Sequence, residues 1–440
     1  MIASIKSLVK RPQMEDLLRL LVRFTFQALV LLLPTQLALH FWPKWAYVYG
    51  FRIDYFSPTL YLTDVFIVLI LVFWFVQTRF HKKKHTWFKS VKYQNWLVPL
   101  LILVFIVLNI LFAISPELAV YKWVKIVEFV FIGFFIIRTE EFDFTNWVLK
   151  PLSYSLIAVS LIALAQFGLQ RTVGGFLYWL GERNFSITTP GIATFSLGGR
   201  ELLRPYSIFP HPNVLAGYLS AGVLLLAYSS SEKFKKTLYF KISLVISLVV
   251  ILLSFSQGAW VALSLVALLL FIGDFSASFM KKASVGIFFT TIIFSLMLPV
   301  VSDRGMIGSN QTETIKHRLY LAKSSGILIA DRPVLGVGAG NFILGLVEVE
   351  NSPSVSWWLQ PSHNVFLLVF SETGIIGLAL FIALLFVSFK KILRKKDRQL
   401  LAPLLFVLLS GLVDHYWISL QQTQLFLTVI IATSLRKNKA

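Results

Sequence analysis

The chain contains no cysteine, which excludes a disulfide framework, a thiolate metal site and a thiol nucleophile. Charge is also scarce. Charged residues make up 14% of the 440 and hydrophobic residues 57%, with a mean hydropathy of +0.75, whereas soluble domains carry about 25% charged residues. A soluble globular protein is therefore excluded. There is no repeat of fixed period and no low-complexity tract, and seven histidines are the only side chains that titrate near neutral pH.

Long apolar runs take the place of all this. A hydrocarbon core about 30 Å thick needs roughly 20 apolar residues per helix. Twelve stretches approach that length: 17–39, 60–78, 96–114, 120–137, 151–170, 212–230, 242–256, 259–273, 284–301, 363–389, 400–413 and 416–435. The expected fold class is all-α, a polytopic integral membrane protein of about 12 transmembrane helices in a single membrane domain. The first run follows Lys6, Lys10 and Arg11 in the manner of a signal peptide, but the runs behind it favour an uncleaved anchor.

Net charge is +20, which in a soluble chain would point to nucleic acid. Here its placement carries another meaning. With the N-terminus inside, 28 of the 41 Lys and Arg fall in the short cytoplasmic segments, as expected where cationic loops resist translocation. Both termini are then cytoplasmic. Nucleic acid is not an expected partner, because the basic clusters are scattered between spans. The alternation puts two long segments, 171–211 and 302–362, outside, and long segments opposite compact turns mark the outer face as the working one. The first is rich in glycine. The second includes an amphipathic stretch, Glu313 to Ala330, that fits a helix on the membrane surface; it stops at Asp331-Arg332-Pro333, ahead of Gly336, Gly338 and Gly340.

Three polar clusters abut spans on that face. They are Arg204-Pro-Tyr-Ser-Ile-Phe-Pro-His-Pro-Asn213, then His317-Arg318 through Asp331-Arg332-Pro333 to Gly340-Asn341-Phe342, and Pro361-Ser-His-Asn364 with Glu372 two to three turns beyond. In this order they resemble the O-antigen ligase and polymerase superfamily of bacterial envelope proteins. The likeness covers Arg204 to Gly377 by motif and the rest by span pattern. It implies glycosyl transfer from a polyprenyl diphosphate-linked glycan, undecaprenyl diphosphate as carrier, to an acceptor hydroxyl at the outer face of the cytoplasmic membrane, with no metal or other cofactor. The expected partners are that donor, a lipid or glycan acceptor, and membrane lipid.

The chemistry of the residues is compatible. Without a metal, the charge that develops on the leaving diphosphate needs fixed cations, and a guanidinium forks onto two oxygens. Arg204 and Arg318 match the family's arginines. The acceptor hydroxyl needs a base, which His supplies near neutral pH, and His363 matches the family's histidine. Plainer roles stand beside these: interfacial arginines contact lipid phosphate, and His363 could cap a helix. His211 and Asn213 read as structural, Asn213 as a cap. Tyr206, Asn364 and Glu372 read as supporting groups, and Arg332 as supporting or as the partner of Asp331. The family's Ser-Arg-Gly turn is here Ser256-Gln257-Gly258, so Gln257 brings a hydrogen bond to phosphate without charge. The glycines suit a tight turn; no strand-turn-helix unit supports a nucleotide loop. Lys125 and Glu128 stand at pairing distance on one helix.

A ligase, a polymerase and a protein O-oligosaccharyltransferase share these motifs. A transporter or flippase would be expected to show pseudo-repeats and broken helices at the midplane, and neither is evident. A metal-dependent transferase would need a pair such as Asp-x-Asp outside; Glu348 and Glu350 are the nearest substitute.

Overall fold

A computed structural model describes residues 11–80, 96–198, 200–272, 313–350 and 359–436. The expected ninth span and part of the second long loop lie outside the described residues. What is described is mostly helical. In chain order the helices are α1 (Arg11–Leu31), α2 (Leu62–Phe80), α3 (Leu97–Leu111), α4 (Pro116–Arg138), α5 (Lys150–Leu169), α6 (Pro212–Ala227), α7 (Glu232–Lys235), α8 (Leu238–Leu253), α9 (Gln257–Ile272), α10 (Glu313–Asp331), α11 (Phe342–Glu350), α12 (Val365–Lys395), α13 (Arg398–Ser410), α14 (Tyr416–Ser419) and α15 (Gln421–Leu435).

Among the described residues, three helical segments are long and apolar enough to cross a membrane: Leu62–Arg79, Thr145–Leu169 and Val365–Lys395. Five more are apolar but shorter, α3, α6, α8, α9 and α13 among them. The structure is not purely helical. Three two-stranded antiparallel pieces join Ala38–His40 to Thr59–Tyr61, Tyr47–Val48 to Phe51–Arg52, and Thr194–Leu197 to Arg200–Leu203. All lie in loops, where alternation over two to four residues is too short to stand out in a sequence.

Side-chain caps fix where several helices begin. Ser115 accepts from Leu118 N with Pro116 at the first helical position of α4, and Asn364 accepts from Phe366 N and Leu367 N at the head of α12. Each satisfies amides the helix cannot. One continuous core of α1, α2, α4–α9 and α12–α15 then packs around Phe26, Tyr218, Phe406 and Trp417, all under 2% exposed.

The glycine motif has a specific task. Helix α12 breaks at Gly374 (φ 64°, ψ −170°), a conformation open essentially to glycine alone. The break frees carbonyls, and the 333–341 loop takes them up. Val337 N donates to Ser371 O (2.9 Å), Gly338 N to Glu372 O (3.0 Å), and Ile375 N to Pro333 O (2.9 Å). Asn109 of α3, fully buried, locks the join. Its Nδ2 donates to Leu335 O and Glu372 O, while its Oδ1 accepts from Trp123 Nε1 and Ala339 N. A Cβ on Gly374 would lie 2.1 Å from Val334 O, and one on Gly336 would lie 2.5 Å from the Glu372 carbonyl carbon.

Candidate active site

Helix α12 starts where Val365 N donates to Gly411 O (2.8 Å) and Asn364 Nδ2 donates to Leu412 O (3.2 Å). Asn364 thus caps the helix and ties it to the turn after α13. That tie sets the residue before the cap, His363, against the residues after the turn, Asp414 and His415.

His363 Nδ1 lies 3.8 Å from Asp414 Oδ1, too long for a hydrogen bond but close enough for strong attraction when the side chains are only 17% and 13% exposed. His363 Nε2 is 3.2 Å from Oε1 of the exposed Gln360. The His415 ring sits 5.0 Å from that of His363, and the His317 ring 6.0 Å. His415 Nδ1 is paired with Ser419 Oγ at 2.6 Å.

Asp414 links this group to the first motif. Its Oδ2 accepts from Asn213 Nδ2 (3.3 Å), and Asn213 Oδ1 accepts from Arg204 Nη2 (2.7 Å). Arg204 Nε donates to Ser254 O (2.7 Å). A guanidinium has five donors, so three remain beyond these two bonds. His211 caps α6, its Nδ1 accepting from Asn213 N (3.1 Å); it, rather than Asn213, is the cap, because Asn213 is turned toward Arg204 and Asp414.

Electrostatics sort the protonation states. Burial works against ionising Asp414, yet His363, His415 and Arg318 hold its carboxyl below the usual carboxylate range. Burial, with His363 adding to it, pushes His415 down to about 3; burial, with Arg204 adding to it, pushes His211 down to about 4. Both are neutral imidazoles at pH 7. Asp414 is the anion among them. The structure brings Arg318 within electrostatic reach of this pair through α10, which also carries His317.

Other expected residues stand further back. The Tyr206 hydroxyl accepts from Ala193 N (2.8 Å), and its ring packs on Phe185 at 4.7 Å. Arg332 pairs with Asp331 and Glu348, each at 3.4 Å. Gln257 is exposed at the start of α9, near the 413–414 turn that Gly258 approaches. Glu372 lines the cavity described next and gives its carbonyl to the α12 break.

A cavity of about 1040 Å³ is lined by His363, His211, Asp414 and His415 and, further along, by residues of α4, α12 and α15. Two of its features escaped the sequence. Asp414 belongs to none of the three polar clusters and is one acidic residue at a turn, next to His415. Arg183 was one more arginine in a glycine-rich loop; it lines the cavity, donates to Pro210 O and lies over the Tyr206 ring at 5.5 Å. Deeper in, Lys125 bridges Asp64 (2.5 Å) and Glu128 (3.2 Å).

Residues 242–382 match the family model described as O-antigen ligase. The chain carries a domain of the O-antigen ligase and polymerase superfamily. No curated protein matches the chain. The O-antigen ligase domain includes His317, Arg318, His363 and the whole α12 break, whereas Arg204, Asn213 and Asp414 lie outside the matched residues. Its family is one of membrane enzymes of the glycosyltransferase or ligase kind.

Proposed function

We propose that the protein transfers a glycan from a polyprenyl diphosphate-linked donor to an acceptor hydroxyl at the outer face of the cytoplasmic membrane, with His363 as general base. The observation that carries this reading is the run Arg204–Asn213–Asp414–His363, which joins two of the three polar clusters beside one cavity that Asn213, Asp414 and His363 line. Asp414 stays anionic and favours the tautomer with a proton on His363 Nδ1. Nε2 then carries the lone pair, which the Gln360 Oε1 facing it cannot satisfy, so an acceptor hydroxyl that displaces Gln360 gains a hydrogen bond there.

In the reaction the acceptor oxygen attacks the anomeric carbon while its proton passes to Nε2. The bond from that carbon to the phosphate oxygen breaks, and the lipid diphosphate leaves with the electron pair. Arg318, Arg204 and Arg183 meet the charge that develops. Asp414 stabilises the imidazolium. The cytoplasmic loops rich in Lys and Arg support an outward-facing mouth.

Purified protein given an undecaprenyl diphosphate-linked glycan and an acceptor should yield a glycosylated acceptor, and His363→Ala should abolish it. Full transfer by both His363→Ala and Arg318→Ala would overturn the mechanism. The product separates the members of the superfamily: a capped acceptor marks a ligase, a lengthened donor a polymerase.

A further inference from the structure

The apolar half of the cavity is not used by the mechanism above. It is lined by Val130 and Phe134 of α4, Leu380 and Leu384 of α12, and Thr428 and Ile431 of α15. Val130 is 63% exposed, Leu380 38% and Leu384 43%, so the groove is open along its side and apolar along its length. From Lys122 to Ile137 on α4 it runs about 22 Å, at about 1.5 Å per residue, most of the roughly 30 Å hydrocarbon thickness. Its upper end carries charge of both signs, with Lys122 and Glu372 within electrostatic reach of each other. Lys122 lines it with Nζ 5.3 Å from the Tyr121 ring, and has no hydrogen-bond or ion-pair partner among the described residues. The loop glycine Gly340 leaves the Lys122 stem its space, since a Cβ there would lie 2.5 Å from Lys122 Cγ. The Glu372 carboxylate lines the same region.

We propose that this groove seats the isoprenoid chain of the donor, with Lys122 as a phosphate contact where the chain begins. The inference rests on the proposed function and adds the lipid's place. Its chemistry selects the donor over a lipid acceptor. In a polyprenyl diphosphate sugar the hydrocarbon starts at the second phosphate, one P–O–P link from the phosphate whose sugar bond breaks, so the chain must leave from close beside the reacting centre. A lipid acceptor carries its headgroup between its tails and the reacting hydroxyl, and its tails need not start there. A lysine with a four-carbon stem can lie along the apolar wall and raise its ammonium toward that phosphate.

The test reads binding in nanodiscs by native mass spectrometry, with undecaprenyl phosphate, farnesyl phosphate and neutral undecaprenol as probes. Val130→Trp and Leu384→Trp change exposed positions and fill the groove. Each should weaken undecaprenyl phosphate about tenfold, some 1.4 kcal/mol, and leave farnesyl phosphate within about twofold. Lys122→Met should weaken both phosphates about tenfold and leave undecaprenol unchanged. Wild-type binding of undecaprenyl phosphate by both Trp variants overturns the inference, as does equal competition by phosphatidylglycerol in the wild type, which would mark a bilayer-lipid groove. Because no transfer is measured, a wild-type protein that binds these lipids in the groove yet transfers nothing would sink the proposed reaction and leave the groove standing.

Discussion

Asp414 Oδ1 stands 3.8 Å from His363 Nδ1, while its Oδ2 accepts from Asn213 Nδ2 at 3.3 Å. One carboxylate therefore faces both the candidate base and the residue that holds Arg204. It comes from a turn that neither the recognised motifs nor the matched family region contains.

Asp414→Asn keeps the shape and removes the charge. Transfer should fall about 10²-fold or more, within the range of general-base assistance, with Asp414→Glu restoring part of it. Initial rates at saturating donor across a pH series check this. An Asn variant with the wild-type rate and pH profile would remove Asp414 from the mechanism.

Stability should rise with pH through the weakly acidic range. His211 and His415 have folded pKa values of about 4 and about 3, below the unfolded value of about 6.5. Between those limits the unfolded chain binds more protons, so each contribution is complete above about pH 6.5 and is lost as pH falls toward the folded value. Asp414, lowered in the fold, contributes above its unfolded value of about 4 and loses that below it. Thermal melts in detergent at pH 4.5 and 7.5 measure the slope; His211→Asn, which keeps a helix-capping acceptor, should flatten it.

Asn213→Ala cuts the bridge between Arg204 and Asp414. Loss of a hydrogen bond to each of two charged groups is expected to cost about 2–4 kcal/mol, seen as a lower Tm. If Arg204 grips the donor, KM for the donor should rise as well. A lower Tm with unchanged KM would confine Arg204 to structure.

The break in α12 tolerates no side chain. Gly374→Ala places a Cβ 2.1 Å from Val334 O at φ 64° and should cost about 3 kcal/mol or more from strain and clash together. Gly191→Ala is the control, with φ 78° but nothing within 4 Å, and should cost about 1 kcal/mol. Equal melting shifts for the two would contradict the sealed-break account.

Lys125→Met leaves Asp64 and Glu128 buried without their cation, a loss of about 3–5 kcal/mol. Adding Asp64→Asn and Glu128→Gln should recover most of it. Melting temperatures of the single and triple variants decide the point.

Much of the helical plan could be read from the chain. Runs of apolar residues gave α2, α4 and α5 to within a few residues and the start of α12, and the Lys125–Glu128 spacing gave an ion pair that the structure contains. The expected count of about 12 spans was harder to recover, since among the described residues three helical segments meet the length and apolarity of a crossing helix, and one expected span is outside those residues. The loop strands were missed because their alternation is so brief. The glycines of 336–340 were legible as a turn, but not as the element that seals a broken helix, because the break at Gly374 has no sequence mark beyond one more glycine.

Sequence by itself determined the apolar, cysteine-free character of the chain, the polar motifs and their order, because hydropathy and motif are local and survive without coordinates. Tertiary structure alone decided which of those residues meet. Asp414 reaches His363 through the Asn364–Leu412 tie, and Arg204 through Asn213 some 200 positions away. Those contacts depend on how helices α6, α12 and α13 pack, and packing between distant segments leaves no local signature to read.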